Sequence, residues 1–207
     1  MIICIPVRGY MEENCYLWVN EKTRHGFLID PGAEGSRLLD YCAENEWIPE
    51  AILLTHGHFD HIGAVEEIHA RLNIPVRIHE AGLAFLADPK LNLSHYCAGD
   101  IVLRNAAAFR DGDTLSLKND PAYVLRVIHT PGHTPDSSVF YDAARGTAFV
   151  GDTIFRGSRG NDRLPGGDGA LLLRSIREKV LALPPETVLY SGHSEPTTVG
   201  AEGPLYL

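Results

Sequence analysis

Thr55-His56-Gly57-His58-Phe59-Asp60-His61 is the stretch on which the reading of this chain turns. It places four metal-ligand side chains within six residues, next to a glycine that leaves room for backbone. On an extended segment, residues two apart point the same way, so His56, His58 and Asp60 share one parity and His61 points elsewhere. A single tetrahedral ion could hardly take all four without strain, so the pattern suits two adjacent cations. Just before it, Ala51-Ile52-Leu53-Leu54 is a continuous apolar run, as expected of a strand buried on both faces. The cluster therefore sits where a strand ends, and loops on a rigid sheet are where reactive groups collect.

Working outward, three more segments repeat the arrangement of strand, glycine and one ligand-type side chain. His133 follows Gly132 after the strand expected over Tyr123 to Ile128. Asp152 follows Gly151 after Thr147 to Val150, and His193 follows Gly192 after Thr187 to Tyr190. Glycine lets the backbone turn sharply there. Further strands are expected at Cys15 to Val19, Gly26 to Asp30, Pro75 to Ile78 and Ser138 to Tyr141. Helices are expected at Leu38 to Glu46, around Ile62, Val65, Ile68 and Leu72, at Glu80 to Ala87, and at Ala170 to Leu183. Lys90 to Asp100 reads as irregular, and glycine-rich Gly157 to Gly169 as a loop. The result is an α/β mixture with hairpins, not a repeating βαβ barrel.

The order His-x-His-x-Asp-His, then His133, Asp152 and His193, resembles the metallo-β-lactamase fold superfamily over nearly the whole chain. His129-Thr130-Pro131-Gly132-His133-Thr134-Pro135 and Gly151-Asp152-Thr153-Ile154-Phe155 are similar to its glyoxalase II branch. Leu164-Pro165-Gly166-Gly167-Asp168 is similar to that branch's small single-domain members. The resemblance implies one hydrolase domain over residues 1–207, folded as an αββα sandwich with metals at the loop ends of two sheets. It implies His56, His58 and His133 for one metal, Asp60, His61 and His193 for the second, and Asp152 bridging both. The expected cofactors are two divalent ions, zinc first, with iron or manganese as alternatives.

Two dications about 3.5–4 Å apart share a water and bring its pKa toward neutrality. With Asp60, Asp152 and one hydroxide they leave about one positive charge, suited to an oxyanion. The expected reaction is hydrolysis of a thioester, S-lactoylglutathione or a related acyl-thiol, by that hydroxide. Asp60 is the expected catalytic residue, orienting the hydroxide or taking a proton. Arg156 and Arg159, with Arg163 nearby, are the expected grip on a substrate carboxylate. Only Ser194 to Leu207 follow His193, so the helical C-terminal domain of larger relatives is not expected, and glutathione selectivity should be weak. The alternatives are a persulfide dioxygenase with a single iron, a hydrolase of lactones or β-lactams, and a non-catalytic metal-bound scaffold.

Composition narrows the partners. The chain has 207 residues, 44% hydrophobic and 22% charged, with a formal net charge of −9. No basic stripe points to nucleic acid, and no apolar run is long enough to span a bilayer. The start Met1-Ile2-Ile3-Cys4-Ile5-Pro6 carries no basic leader, so no export signal is expected. Cys4, Cys15, Cys42 and Cys97 form no CxxC pair and read as free thiols, which points to a reducing, cytoplasmic setting. His25, His69, His79 and His95 read as surface or core residues, and His129 as a hydrogen-bonding support near His133. A small-molecule substrate is the expected partner; oligomeric state is not legible.

Overall fold

A computed structural model describes residues 1–206. The alternation of side chains along the strands decides its layers. In β2 (Glu12–Val19), Tyr16 and Trp18 enter one apolar cluster while Cys15, Leu17 and Val19 enter another. The same two-residue period splits Phe27 and Ile29 from Leu28, and Ala51 and Leu53 from Ile52. A sheet apolar on both faces must be covered on both.

The first sheet takes the first half of the chain. β1 (Ile2–Arg8), β2, β3 (His25–Ile29), β4 (Ile48–Leu53), β5 (Val76–His79) and β6 (Ala106–Phe109) lie in that order. β1 to β3 form an antiparallel meander, and β3 to β6 run parallel. The second sheet is built from β7 (Thr114–Ser116), β8 (Val124–His129), β9 (Ser138–Asp142) and β10 (Thr147–Gly151). A small ribbon, β11 (Ile154–Phe155) and β12 (Ser158–Arg159), then precedes β13 (Val188–Ser191) and β14 (Thr197–Thr198). The order across this sheet is β14-β13-β10-β9-β8-β7, with β10 and β13 parallel.

Between the sheets Tyr16, Trp18, Phe27, Leu53, Phe109, Phe140 and Phe149 form one core. Its one buried indole N–H donates to Asp142 Oδ2 at 2.9 Å, so the Trp18 ring is packed without stranding a donor. α1 (Gly35–Glu44), α2 (Phe59–Ile62), α3 (Val65–Leu72), α4 (Leu83–Ala87) and α5 (Ser94–Cys97) belong to the first half. Leu38 of α1 and Val65 and Ile68 of α3 pack on the first sheet's outer face. α6 (Gly169–Ser175) and the π-turn Ile176–Val180 cover the second sheet through Leu172, Ile176 and Val180. α7 (Val199–Glu202) adds Val199. The architecture is the expected αββα sandwich.

Three local expectations change. The helix around Ile62 to Leu72 is two helices, α2 and α3, broken at Gly63-Ala64. Asp60 lies inside α2, so the extended parity that grouped it with His56 and His58 ends at His58, whose φ and ψ are −71° and 150°. Lys90 to Asp100 is not wholly irregular, because Ser94–Cys97 forms the short α5. No helix among the described residues is long and apolar enough to cross a membrane. All four cysteines are free thiols.

Candidate metal centre

Two loop systems meet where the parallel strands end. After β4 the chain leaves the first sheet through Thr55 and delivers His56 and His58 in extended conformation, then Asp60 and His61 on α2. The second sheet delivers His133 after β8, Asp152 after β10 and His193 after β13. The fold brings all seven expected ligand side chains together. His56, His58 and His133 have ligand atoms within 4.8 Å of one another, and so do Asp60, His61 and His193. Asp152 faces both groups. Its Oδ1 lies 3.4 Å from His61 Nε2, and its Oδ2 lies 3.7 Å from His133 Nε2 and 3.6 Å from His193 Nε2.

The outer nitrogens of four rings are held by the protein, which fixes what the inner ones present. His133 Nδ1 donates to the Asn161 carbonyl at 2.8 Å, and His193 Nδ1 donates to the Glu12 carbonyl at 2.8 Å. His61 Nδ1 lies 3.0 Å from Asp30 Oδ2. Thr55 donates its hydroxyl to Asp30, so its oxygen is left to accept from His56 Nδ1 at 3.1 Å. Each ring thus turns an Nε2 inward. His58 is reversed: its Nδ1 lies 3.2 Å from His56 Nε2 and 3.0 Å from His133 Nε2. His56 and His133 present Nε2 lone pairs, and His58 Nδ1 can donate to only one of them, so at least one buried lone pair is left unmatched there. His61 Nε2 and Asp152 Oδ1 are also buried without a hydrogen-bond partner. Buried lone pairs facing one another are costly unless a cation joins them, so this donor set fits metal ions, and its imidazole and carboxylate chemistry suits zinc, iron or manganese.

Protonation follows the same division. Burial, with His61 and His58 beside it, pushes His56 well below the ordinary imidazole range. Burial and His133 bring His58 down to about 3. Both are neutral, as ligation requires. Burial opposes the charge on His61, but Asp152 and Asp60 overcome it and hold the ring well above its ordinary value. His193 is raised against burial by its contact with Asp60, 3.1 Å away. Asp60 and Asp152 are held low by these histidines although burial alone would raise them. Without cations, the rings of His61 and His193 are the groups that offset the two carboxylates.

Backbone space is as tight as the donor spacing. A Cβ on Gly192 would stand 2.6 Å from Asp152 Oδ1 and 2.6 Å from His61 Cε1, so this glycine keeps β13 against the cluster. Gly132 has a φ of 140°, and a Cβ there would meet the Leu172 backbone at 2.2 Å. The loop carrying His133 is thereby seated directly on α6. His129 supports the same loop, its Nε2 2.8 Å from the Pro135 carbonyl and its ring stacked on His79 at 3.9 Å.

Three acidic residues around the centre escaped the sequence reading. Asp30, which looked only like the end of a strand before Pro31-Gly32, accepts from Thr55 N at 2.7 Å and holds His61. Glu13 is fully buried, 3.8 Å from His61 Nδ1 and without a hydrogen-bond partner, and burial raises its carboxyl well above the usual range. Asp136, three residues past His133, is buried and unpartnered, and burial pushes it up to about 6. The strand parity of Glu13, opposite Tyr16 and beside Asn14, was the available clue; nothing in composition marks it.

The expected substrate-binding arginines do not reach the cluster. A cavity of about 340 Å³ opens onto His58, Asp60, His133, Asp152 and His193, and neither Arg156 nor Arg159 lines it. Arg159 pairs with Asp162 at 3.4 Å and borders a separate cavity with Tyr206. Arg156 is exposed, its backbone N–H donating to Ser194 Oγ.

A four-layer sandwich with His and Asp donors gathered at one edge defines a metallohydrolase class, and the comparisons agree. Residues 9–193 match the Metallo-beta-lactamase superfamily, and the chain belongs to that family. It is 31% identical to the hydroxyacylglutathione hydrolase GloC of Haemophilus influenzae, over 96% of this chain and 92% of that protein. The crystal structure of BLEG-1 B3 metallo-beta-lactamase superposes with a TM-score of 0.90 at 36% identity, covering 98% of this chain and 96% of that one. The crystal structure of TTHA1623 in a di-iron-bound form gives 0.84 at 35%, covering 97% and 96%. The protein is a metallo-hydrolase of this superfamily.

Proposed function

We propose that the protein hydrolyses a thioester, with S-lactoylglutathione and related acyl-thiols as the substrate class. The observation that carries this is Asp152, whose carboxylate lies between the two donor groups, Oδ2 near both His133 and His193 and Oδ1 near His61. His56, His58 and His133 would hold one divalent ion, Asp60, His61 and His193 the other, and Asp152 both. Zinc is the first assignment, with iron or manganese as alternatives. Such ions supply a low-pKa water and Lewis acidity toward a carbonyl.

The chain does the rest. Asp30, Thr55, Asn161 and Glu12 fix the rings through their outer nitrogens. Asp60 Oδ2, at the cavity wall, is placed to orient the attacking group or accept its proton. Phe59 and Phe155 line the same cavity and limit water. No cysteine or serine nucleophile is required.

A GloC relative supports a thioester, and the BLEG-1 likeness makes β-lactam opening the second reading, since the same chemistry serves both. A single-iron persulfide dioxygenase leaves part of the donor set unused. Metal-loaded protein assayed on thioesters, lactones and β-lactams decides among the hydrolases; no thioester turnover defeats the proposal. Elemental analysis should give two metals per chain. Asp152→Ala should lower that content and cut activity by more than about 100-fold; undiminished activity would mean the bridge is wrongly assigned.

A further inference from the structure

The wall of the cavity beside the cluster is the least expected feature of the site. Beyond the ligand set it is built from Tyr10 and Met11 in the β1–β2 turn, Leu93 and Cys97 around α5, and Phe155 and Leu164 after β10. Asn161 is its neutral polar member. Tyr10 meets Phe59 edge-on, ring centres 5.8 Å apart, and a second cavity of about 330 Å³ continues past them. The two cavities share Tyr10, Met11, Phe59 and Asp60. The second adds Val7, Ala33 and Ile101, and its further charged residue is Glu34. Among the described residues, no lysine or arginine lines either cavity.

Glutathione carries two carboxylates. Desolvating a carboxylate without a cation or donor is costly, and beyond the ligand set neither cavity offers a cationic side chain, while Glu34 is already paired with Arg37 at 2.7 Å. Tyr10 and Met11, 70% and 47% exposed at the mouth, instead offer apolar surface to a ligand. We infer that the substrate is an acyl-thiol uncharged and apolar on both sides of its carbonyl, held by the Tyr10–Met11 turn against Phe155 and Leu164. The inference rests on the thioester reading above and narrows it to the related acyl-thiols, setting S-lactoylglutathione aside. Each methylene that leaves water adds about fourfold to binding, so acyl length is the variable to which this site responds.

The test uses the full metal-loaded chain and thioesters of N-acetylcysteamine from acetyl to hexanoyl, beside glutathione thioesters of the same acyl groups. The expected result is a tenfold or greater rise in kcat/KM from acetyl to hexanoyl, with less than a fivefold preference for glutathione. A smaller rise, or a larger preference, overturns the inference. If no thioester turns over, the hydrolytic reading fails separately, and binding still decides this one. The labelled methyl resonance of Met11 should then shift at lower concentrations of hexanethiol than of glutathione. An equal or reversed ranking overturns it.

Discussion

Asp136 shows how much a single side chain can cost a fold. Its carboxyl is buried and lacks a partner, and burial pushes it up from the usual 3.8 to about 6. A carboxyl raised in the folded state binds its proton more tightly there than in the unfolded chain. Its contribution is complete below pH 3.8 and is lost as pH rises through about 6. That rise in pKa corresponds to about 3 kcal/mol. Asp136→Asn should therefore raise the melting temperature at pH 8 and leave it nearly unchanged at pH 4. A thermal scan at the two pH values checks this, and equal effects at both would refute it. At this scale the ligands were legible because His, Asp and Gly recur in a fixed order. Asp30, Glu13 and Asp136 were not, because the role of a buried acid is set by neighbours distant in sequence. His61 meets Asp30 across 31 positions.

The connections between strands and helices decide whether the ligands arrive together. Gly132 carries His133 over α6 with no room for a methyl group. Gly132→Ala combines a disfavoured φ with a backbone collision, and should cost about 2 kcal/mol or more. Denaturant unfolding measures it; a cost under about 0.5 kcal/mol would mean that the loop relocates freely. Elements with a strong period were readable: β4 as an apolar run, and α3 from Val65 and Ile68. β1, β6 and β7 were missed. The run Ala106–Phe109 has three alanines and little β-branched character, and it is a strand only because β5 pairs with it in parallel. β1 holds Pro6 within an edge strand, a residue that argues locally against pairing. The helix expected from Ala170 to Leu183 ends in a π-turn, a hydrogen-bond shift that amphipathic spacing does not reveal.

At the scale of the whole molecule, metal should act as a structural tie as well as a reagent. The cluster joins loops from both sheets, so ions that bind only the folded chain stabilise it by mass action. At 100 times the dissociation constant that is about 2.7 kcal/mol, or roughly 5–11 °C for a protein of this size. Chelated protein should melt lower by that amount, and readdition of zinc should restore it. An unchanged melting temperature after verified removal would show that the ions do not tie the two sheets together. A further consequence lies in the chain's division at Arg110–Asp113, an exposed turn between β6 and β7. The strands before it form one sheet with His56, His58, Asp60 and His61; those after it form the other and the small β11–β12 ribbon, with His133, Asp152 and His193. Two separately made peptides, cut at Gly112, should each be inert and should recover turnover when mixed with the cation, which makes this polypeptide a natural candidate for a metal-gated split reporter.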